Sequence, residues 1–103
     1  MMQNLKNSTE KNIILLKKRA RYYLGKREYS RLELQKKINA FAQELELETQ
    51  TVKNILNELE SKDWLSDQRF TEQFIFSKKN KYGVEKIRYE LKMRGVDETI
   101  ING

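Results

Sequence analysis

Apolar residues recur along this chain at steps of three and four, which is the spacing of one face of an α-helix. The pattern predicts five helices and the beginning of a sixth. The first is predicted at residues 10–26, with Ser8 or Thr9 as its N-cap and with its end near Gly25. No segment alternates apolar and polar residues over a useful length, so the predicted fold class is all-α.

The second and third helices are marked by their first residues and by their apolar stripes. Ser30 followed three residues later by Glu33 is the pattern of a capping box, in which each side chain bonds the other residue's backbone amide. Thr49 is placed to cap the third helix. The predicted buried positions are Leu34, Ile38, Phe41 and Leu45 in the second helix, and Val52, Ile55, Leu56 and Leu59 in the third.

The second half of the chain predicts three further helix starts. Ser66 or Asp67 begins a helix that runs to about Lys79, Gly83 precedes the next helix, and Asp97 caps a sixth. Gly95 is predicted to adopt a left-handed conformation at a helix C-terminus. The predicted inward residues are Phe70, Phe74, Ile75, Val84, Ile87 and Leu91, with Trp64 as a buried anchor between the two halves.

Two segments 53 residues apart share one pattern, in which a basic residue and a tyrosine precede a small residue and a helix. Tyr29 and Ser30 match Tyr82 and Gly83. Such duplication is typical of tandem units that stack in a row. The predicted organisation is a flexible N-terminus at 1–8, a first three-helix repeat at 9–62, and a second at 63–103 that is incomplete at its third helix. The units resemble helix-turn-helix modules stacked in a curved row.

The composition excludes several classes of enzyme. The 103 residues include neither cysteine nor histidine, so the most common nucleophilic thiol, general base and metal ligand are missing. There is no phosphate-binding glycine motif, no apolar run of membrane-spanning length and no secretory signal. We therefore expect a cytoplasmic, non-enzymatic protein without a metal, another cofactor or a small-molecule substrate, and we expect it to be a monomer away from membranes.

The net charge of +6 is unevenly distributed. Residues 1–38 carry a net charge of +8, residues 39–67 carry −5, and residues 68–103 carry +3. Two basic segments around an acidic one favour an anionic partner, although solvated helix surfaces also explain them. The candidate binding residues are Lys17, Lys18, Arg21, Lys26, Arg27, Arg31, Lys36, Lys37, Lys78, Lys79, Lys81, Arg88, Lys92 and Arg94.

Within this set, Lys17 and Arg21 lie one helical turn apart and are predicted to project together. Trp64 has acidic neighbours, which disfavour stacking on nucleic-acid bases there. Tyr29 and Tyr82 are predicted to pack on the helices that follow them, whereas Tyr22 and Tyr89 remain open as binding residues. A sequence-reading third helix is disfavoured because its outward face has few cations.

An ordered set of residues resembles the RecX-type regulators of the RecA recombinase. It comprises Arg27, Tyr29, Ser30, Glu33, Leu34 and Ile38, then Leu59, Trp64, Leu65, Asp67, Arg69 and Phe70, and finally Gly83, Ile87, Glu90, Leu91, Gly95 and Val96.

The resemblance implies a small, basic, all-helical protein of three tandem three-helix repeats, of which this sequence carries the first and part of the second. It also implies binding in the groove of the RecA–DNA filament, inhibition of strand exchange and ATP hydrolysis, and promotion of filament disassembly. DNA phosphates and the RecA filament are thus the expected partners. The alternative is a stand-alone helical module that binds nucleic acid without sequence specificity.

Overall fold

The computed structural model describes the backbone of residues 2–103 and the side chains of residues 8–103. The described chain contains no strand, and the all-α prediction is confirmed. The molecule is elongated, with extents of 58 × 21 × 21 Å. Its helices are α1 (Met2–Leu24), α2 (Arg31–Glu44), α3 (Thr49–Ser61), α4 (Asp67–Lys78), α5 (Val84–Met93) and α6 (Glu98–Ile101).

Helix α1 is longer than predicted at its N-terminal end. It begins at Met2 rather than at residue 10, so Ser8 and Thr9 lie inside the helix and do not cap it. Residues 2–9 contain no glycine or proline that would stop a helix, which explains the difference. The predicted flexibility of residues 1–8 concerns Met1 and side chains up to residue 7 that lie outside the described part, and it stays a prediction.

The first three helices enclose one apolar core. Helix α1 packs on α2, and α2 packs on α3. Leu65, which follows α3, is also buried in this core. It therefore packs with the first unit although it lies beyond the predicted boundary at residue 62. The fully buried side chains include Leu16, Leu34, Ile38, Leu56 and Leu59.

Helices α4, α5 and α6 pack on one another around a second, smaller core. Its buried members are Phe70, Phe74, Ile87, Leu91 and Val96, with Ile100 and Ile101 half-buried against them.

Two residues predicted to face this core do not. Val84 is 67% exposed in the first turn of α5, next to the open space at Gly83, and Ile75 is 38% exposed beside the buried Phe74.

The prediction that Trp64 is buried is wrong. Its side chain is 42% exposed, and its neighbour Leu65 is the buried residue. The end of α3 explains this: Asp63 has a positive φ of 61°, and the Trp64 amide donates to the Leu59 carbonyl at 3.0 Å. This Schellman-type turn directs the chain back over the first core one residue later than expected.

Most of the predicted helix caps are confirmed. Ser30 and Glu33 form the complete capping box, and the side chains of Ser66 and Asp97 accept backbone hydrogen bonds at the starts of α4 and α6. Gly95 has φ +78° at the end of α5. Thr49 is not a cap, because the N-cap position of α3 is Glu48, whose side chain makes no capping bond.

Backbone and side-chain contacts join the two units directly. The Ser30 hydroxyl donates to the Arg94 carbonyl at 2.7 Å, and the Arg31 amide donates to Asp67 Oδ1 at 2.8 Å. At Gly95 the units approach so closely that a Cβ atom would lie 2.8 Å from the Leu32 Cβ. The N-terminal end of α2 is thus covered by the second unit, and this contact, called the junction below, positions the basic surfaces.

An arginine adds a charged link to the junction. The guanidinium of Arg69 donates to Glu28 at 2.6 Å, and this hydrogen bond is the main reason why the pKa of Arg69 is raised above its ordinary value. Arg69 also donates to the Trp64 carbonyl at 3.1 Å. The helix that opens the second unit is therefore tied to the turn that precedes α2.

Candidate nucleic-acid interface

The outward side of α1 carries cations without neighbouring carboxylates. The segment 11–27 contains no acidic residue. Lys18 and Tyr22 are both exposed and lie one turn apart on the same face, and exposed Lys26 follows in the turn after the helix. Lys18 and Lys26 also take part in none of the ion pairs of the described residues, so their positive charge is available to an anionic ligand.

A groove of about 460 Å³ runs along this surface between α1 and α2, and it is called the α1–α2 groove below. Two of its lining residues are cations and none is acidic. Arg19 packs with its guanidinium carbon 4.0 Å from the centre of the Phe41 ring. The lining residues are Leu15, Lys18, Arg19, Tyr22, Tyr23 and Phe41.

Three tyrosines form a continuous aromatic row from this groove into the first core. The rings of Tyr22 and Tyr23 lie 5.8 Å apart edge to face, and those of Tyr23 and Tyr29 lie 6.1 Å apart. Tyr29 is buried, whereas Tyr22 is 60% exposed. A cation lies over each ring: Lys26 over Tyr22 at 5.1 Å, Lys37 over Tyr23 at 5.2 Å and Arg27 over Tyr29 at 3.7 Å.

Lys17 and Arg21 project together, as expected, but on the side of α1 that faces α3. Lys17 Nζ lies 2.9 Å from Glu58 Oε2, and this hydrogen bond is the main reason why the pKa of Glu58 is lowered. Arg21 lies over the Trp64 ring at 4.3 Å. This pair is therefore partly neutralised and lies apart from the α1–α2 groove.

The candidate arginines near the junction all have carboxylate partners. Arg27 pairs with Glu33 at 3.3 Å, and Arg31 pairs with Glu60. Arg94 pairs with Glu90 at 2.6 Å and with Glu33 at 3.4 Å. These ion pairs show that the three arginines link residues within each unit and, through Arg94, join the two units to each other.

The candidates of the second unit are dispersed around α4 and α5. Lys92 pairs with Glu98, and Arg88 donates to the Asn102 side chain at 2.5 Å. Lys81 is exposed, as is Lys36 on α2. The ammonium groups of Lys78 and Lys79 lie 5.6 Å from the Tyr82 ring and 4.8 Å from the Phe76 ring, respectively.

A second groove, of about 700 Å³, lies between the units and brings four candidates together. They are Lys26, Arg27, Lys78 and Arg94. Glu28 and Glu33 line the same groove, so its charge is mixed. In this groove Lys26 connects the basic surface of α1 to that of α4. The part of this combined basic surface that has no carboxylates lies on α1.

Sequence reasoning missed Arg19 as a candidate. It lies beside Lys18, in the segment without acidic residues and one turn before Tyr22 and Tyr23. That combination of a cation and two aromatic residues at helical spacing was the available signal.

Among the described side chains, no group of three or more acidic residues is arranged to hold a metal ion. In the described part of the chain, no helix has both the length and the apolar character needed to cross a membrane.

Comparison with known proteins finds relatives of this chain. Residues 66–103 match the family model described as RecX, second three-helix domain. Over 87 residues, or 84% of the chain, it is 41% identical to a protein of Chromobacterium violaceum named Regulatory protein RecX. Proteins of the same name from Ralstonia pickettii and Neisseria meningitidis (strain MC58) are 37% and 38% identical over 81% of the chain.

The resemblance to the RecX-type regulatory proteins is confirmed. The chain spans about half the length of these RecX relatives, covering 54%, 50% and 52% of them. The match of residues 66–103 to a RecX three-helix domain agrees with the three helices α4, α5 and α6. No solved structure gave a significant match to the chain.

Proposed function

We propose that this chain is a non-enzymatic regulator that binds the RecA–DNA filament and inhibits the recombinase. The observation that carries the proposal is its similarity, over most of its length, to proteins named Regulatory protein RecX. Inhibition acts on strand exchange, on ATP hydrolysis and on the persistence of the filament. The protein works in the cytoplasm as a monomer and needs no cofactor.

The charge of α1 supports contact with DNA within such a filament. Lys18, Arg19 and Lys26 take part in none of the ion pairs of the described residues, so they can replace counterions on phosphates without first breaking ion pairs. Five of the other candidates are less free, because Lys17, Arg27, Arg31, Lys92 and Arg94 already contact carboxylates. We therefore assign the principal DNA contact to α1.

The shape of the molecule supports contact with more than one site along a filament. The chain extends over 58 Å, and the junction holds its two units in one arrangement through the Ser30 and Arg31 hydrogen bonds. A rod fixed in this way presents α1 and the surface of the second unit to one partner at a set distance. Because the two units are already fixed relative to each other, filament binding loses little conformational entropy in ordering them.

A second candidate function is that of a nucleic-acid-binding module with no protein partner. The α1–α2 groove favours this function, because it contains an exposed tyrosine on which a base can stack and unpaired cations that can contact phosphates of single-stranded nucleic acid. A module of this kind binds bare DNA as well as coated DNA. A filament regulator prefers RecA-coated DNA and lowers its rate of ATP hydrolysis.

The test compares binding of the protein to bare single-stranded DNA, to duplex DNA and to RecA-coated DNA over a range of salt concentrations, together with RecA ATPase activity. We expect the wild type to prefer the coated form and to slow ATP hydrolysis. The double variant Lys18→Glu plus Lys26→Glu should weaken filament binding by about tenfold or more. It should also flatten the salt dependence by a slope of about 2, roughly one for each phosphate that is no longer neutralised.

The matched control is Lys53→Glu plus Lys86→Glu, which changes the charge equally at exposed helix positions outside the candidate set. This control should bind nearly as the wild type does. Equal weakening in both double variants would show that only net charge matters and would remove α1 from the site. Lys17→Glu plus Arg21→Glu is less informative, since it places a new carboxylate beside Glu58 and disturbs α3.

A further inference from the structure

Tyr22 is the exposed end of an otherwise packed aromatic row. Its ring is 60% exposed, while Tyr29 at the other end is 7% exposed. The intervening Tyr23 is edge to face with Tyr22 at 5.8 Å and is half-buried against the first core. Because Tyr22 leans on rings that are themselves held by the core, little side-chain freedom remains to be lost when a ligand stacks on it.

The surroundings of Tyr22 select for negative charge. The α1–α2 groove that it lines also contains Lys18 and Arg19 and no acidic residue. Lys26 Nζ lies 5.1 Å from the centre of the Tyr22 ring, and the ion pairs of the described residues include none between these three cations and a carboxylate. A ligand here meets an exposed aromatic ring with Lys26 over it and with Lys18 one helical turn away on the same face of α1.

These features exclude several occupants. A second copy of this chain that used the same face would bring the same positive surface and would be repelled. An acidic peptide would satisfy the cations but leave the tyrosine and Leu15 without a matching flat surface. Duplex DNA keeps its bases stacked inside the helix, so it offers phosphates but no base face. Single-stranded DNA offers both, with a phosphate on either side of each exposed base.

We propose that Tyr22 is a base-stacking subsite for single-stranded DNA, with Lys18, Arg19 and Lys26 holding the phosphates beside the stacked nucleotide. The choice of DNA as the ligand rests on the proposed function, since stacking itself accepts any base. The subsite gives α1 a preference for single strands that charge alone does not give.

The experiment measures binding of fluorescently labelled oligonucleotides of about 12 nucleotides, within the usual range of single-strand sites. Three probes are used: oligo(dT), a duplex of the same length, and an abasic strand that keeps every phosphate but has no bases. The proteins are the wild type, Tyr22→Ala, Tyr22→Phe and Tyr89→Ala. Tyr89 is the matched control because its ring is equally exposed, at 60%, and lies outside the α1–α2 groove.

We expect Tyr22→Ala to weaken oligo(dT) binding by about 5- to 100-fold, the usual cost of losing one stacked base. Tyr22→Phe keeps the ring and should bind as the wild type does. Binding to the duplex and to the abasic strand should be the same for wild type and Tyr22→Ala. Tyr89→Ala should leave all three affinities unchanged, and circular dichroism should show equal helicity throughout.

Three results overturn the subsite. They are equal oligo(dT) affinities of Tyr22→Ala and wild type, equal weakening on the oligo(dT) and abasic probes, and no binding of oligo(dT) by the wild type. Each leaves the proposed function standing if the wild type still binds RecA-coated DNA and lowers its ATPase. Absence of that filament activity, with the oligo(dT) preference intact, refutes the regulator and keeps the subsite.

Discussion

The two units begin their middle helices from matching positions but in different surroundings. In the first unit, the start of α2 is covered by the second unit, and Ser30 is completely buried. In the second unit, the start of α5 is uncovered: Gly83 has no atom within 4 Å of where a Cβ would stand, and Val84 is 67% exposed. The same helical pattern thus gives an interface in one unit and a free surface in the other.

The residues at these positions differ as their surroundings do. Ser30 caps α2 and donates to the Arg94 carbonyl, and its partner Glu33 completes the capping box. The matching residues of α5 are Gly83 and Lys86, and Gly83 makes no side-chain cap. Buried polar groups need partners whereas exposed ones have water, so only the covered helix start requires the full set of bonds.

The largest expected effect concerns Gly95, where the two units touch most closely. Its φ of +78° is unfavourable for alanine, and an added Cβ would lie 2.8 Å from the Leu32 Cβ, an atom that cannot swing away. We expect Gly95→Ala to lower the free energy of unfolding by about 2–4 kcal/mol, from backbone strain and overpacking together. Urea unfolding followed by circular dichroism measures it.

Gly83→Ala is the control for this variant, because Gly83 has a negative φ of −73° and open space around it. It should change stability by less than about 1 kcal/mol, which is the scale of N-cap preferences. Similar costs for the two substitutions would show that the close approach at the junction does not distinguish the units.

The next effect concerns Asp67, which accepts the hydrogen bond of the Arg31 amide at 2.8 Å. Asp67→Ala leaves that amide unpaired within the junction and should cost about 1–3 kcal/mol. Asp67→Asn keeps an acceptor oxygen and should retain most of the stability at neutral pH. Urea unfolding of both variants and of the wild type at neutral and at acid pH measures these differences.

The pH dependence of Asp67 follows from its surroundings. Burial is the main cause that raises the pKa of the Asp67 carboxyl above its ordinary value of 3.8. With the pKa higher in the folded than in the unfolded protein, ionisation opposes folding, so this contribution is present at low pH and is lost as pH rises through the folded pKa. The stability of Asp67→Asn relative to wild type should therefore increase from acid to neutral pH; a decrease contradicts the assignment.

Local signals in the sequence predicted the helices well. Ser30 with Glu33, Ser66, Gly95 and Asp97 lie where expected, because capping depends on a few neighbouring residues. The ends of α2 and α3 gave no such signal, since Glu46 and Asp63 take the positive φ values there in place of glycine. The outward turn of Trp64 follows directly from the second of these ends.

Which cations remain free could not be predicted, because that depends on contacts between distant segments. Lys17 meets Glu58 from α3, and Arg94 meets Glu33 from α2. The sequence spacing of Lys17 and Arg21 correctly put them on one face, but it did not show that α3 lies opposite. Arg19 became a candidate, and Tyr22 was distinguished from Tyr89, once Phe41 and Tyr23 were placed beside them in the α1–α2 groove.

The smallest effect is expected for Gly83→Ser, which is compared with Ser30→Gly to separate capping from burial at the two helix starts. Gly83→Ser gives α5 a hydroxyl that can accept the Lys86 amide, in open space, and should stabilise the protein by only a few tenths of a kcal/mol. Ser30→Gly removes a cap and also leaves the Arg94 carbonyl without its 2.7 Å hydrogen bond, which should cost about 1–3 kcal/mol. Thermal unfolding of both variants measures this asymmetry. Changes of equal size and opposite sign would mean that the cap alone matters and that covering the start of α2 adds nothing to its stability.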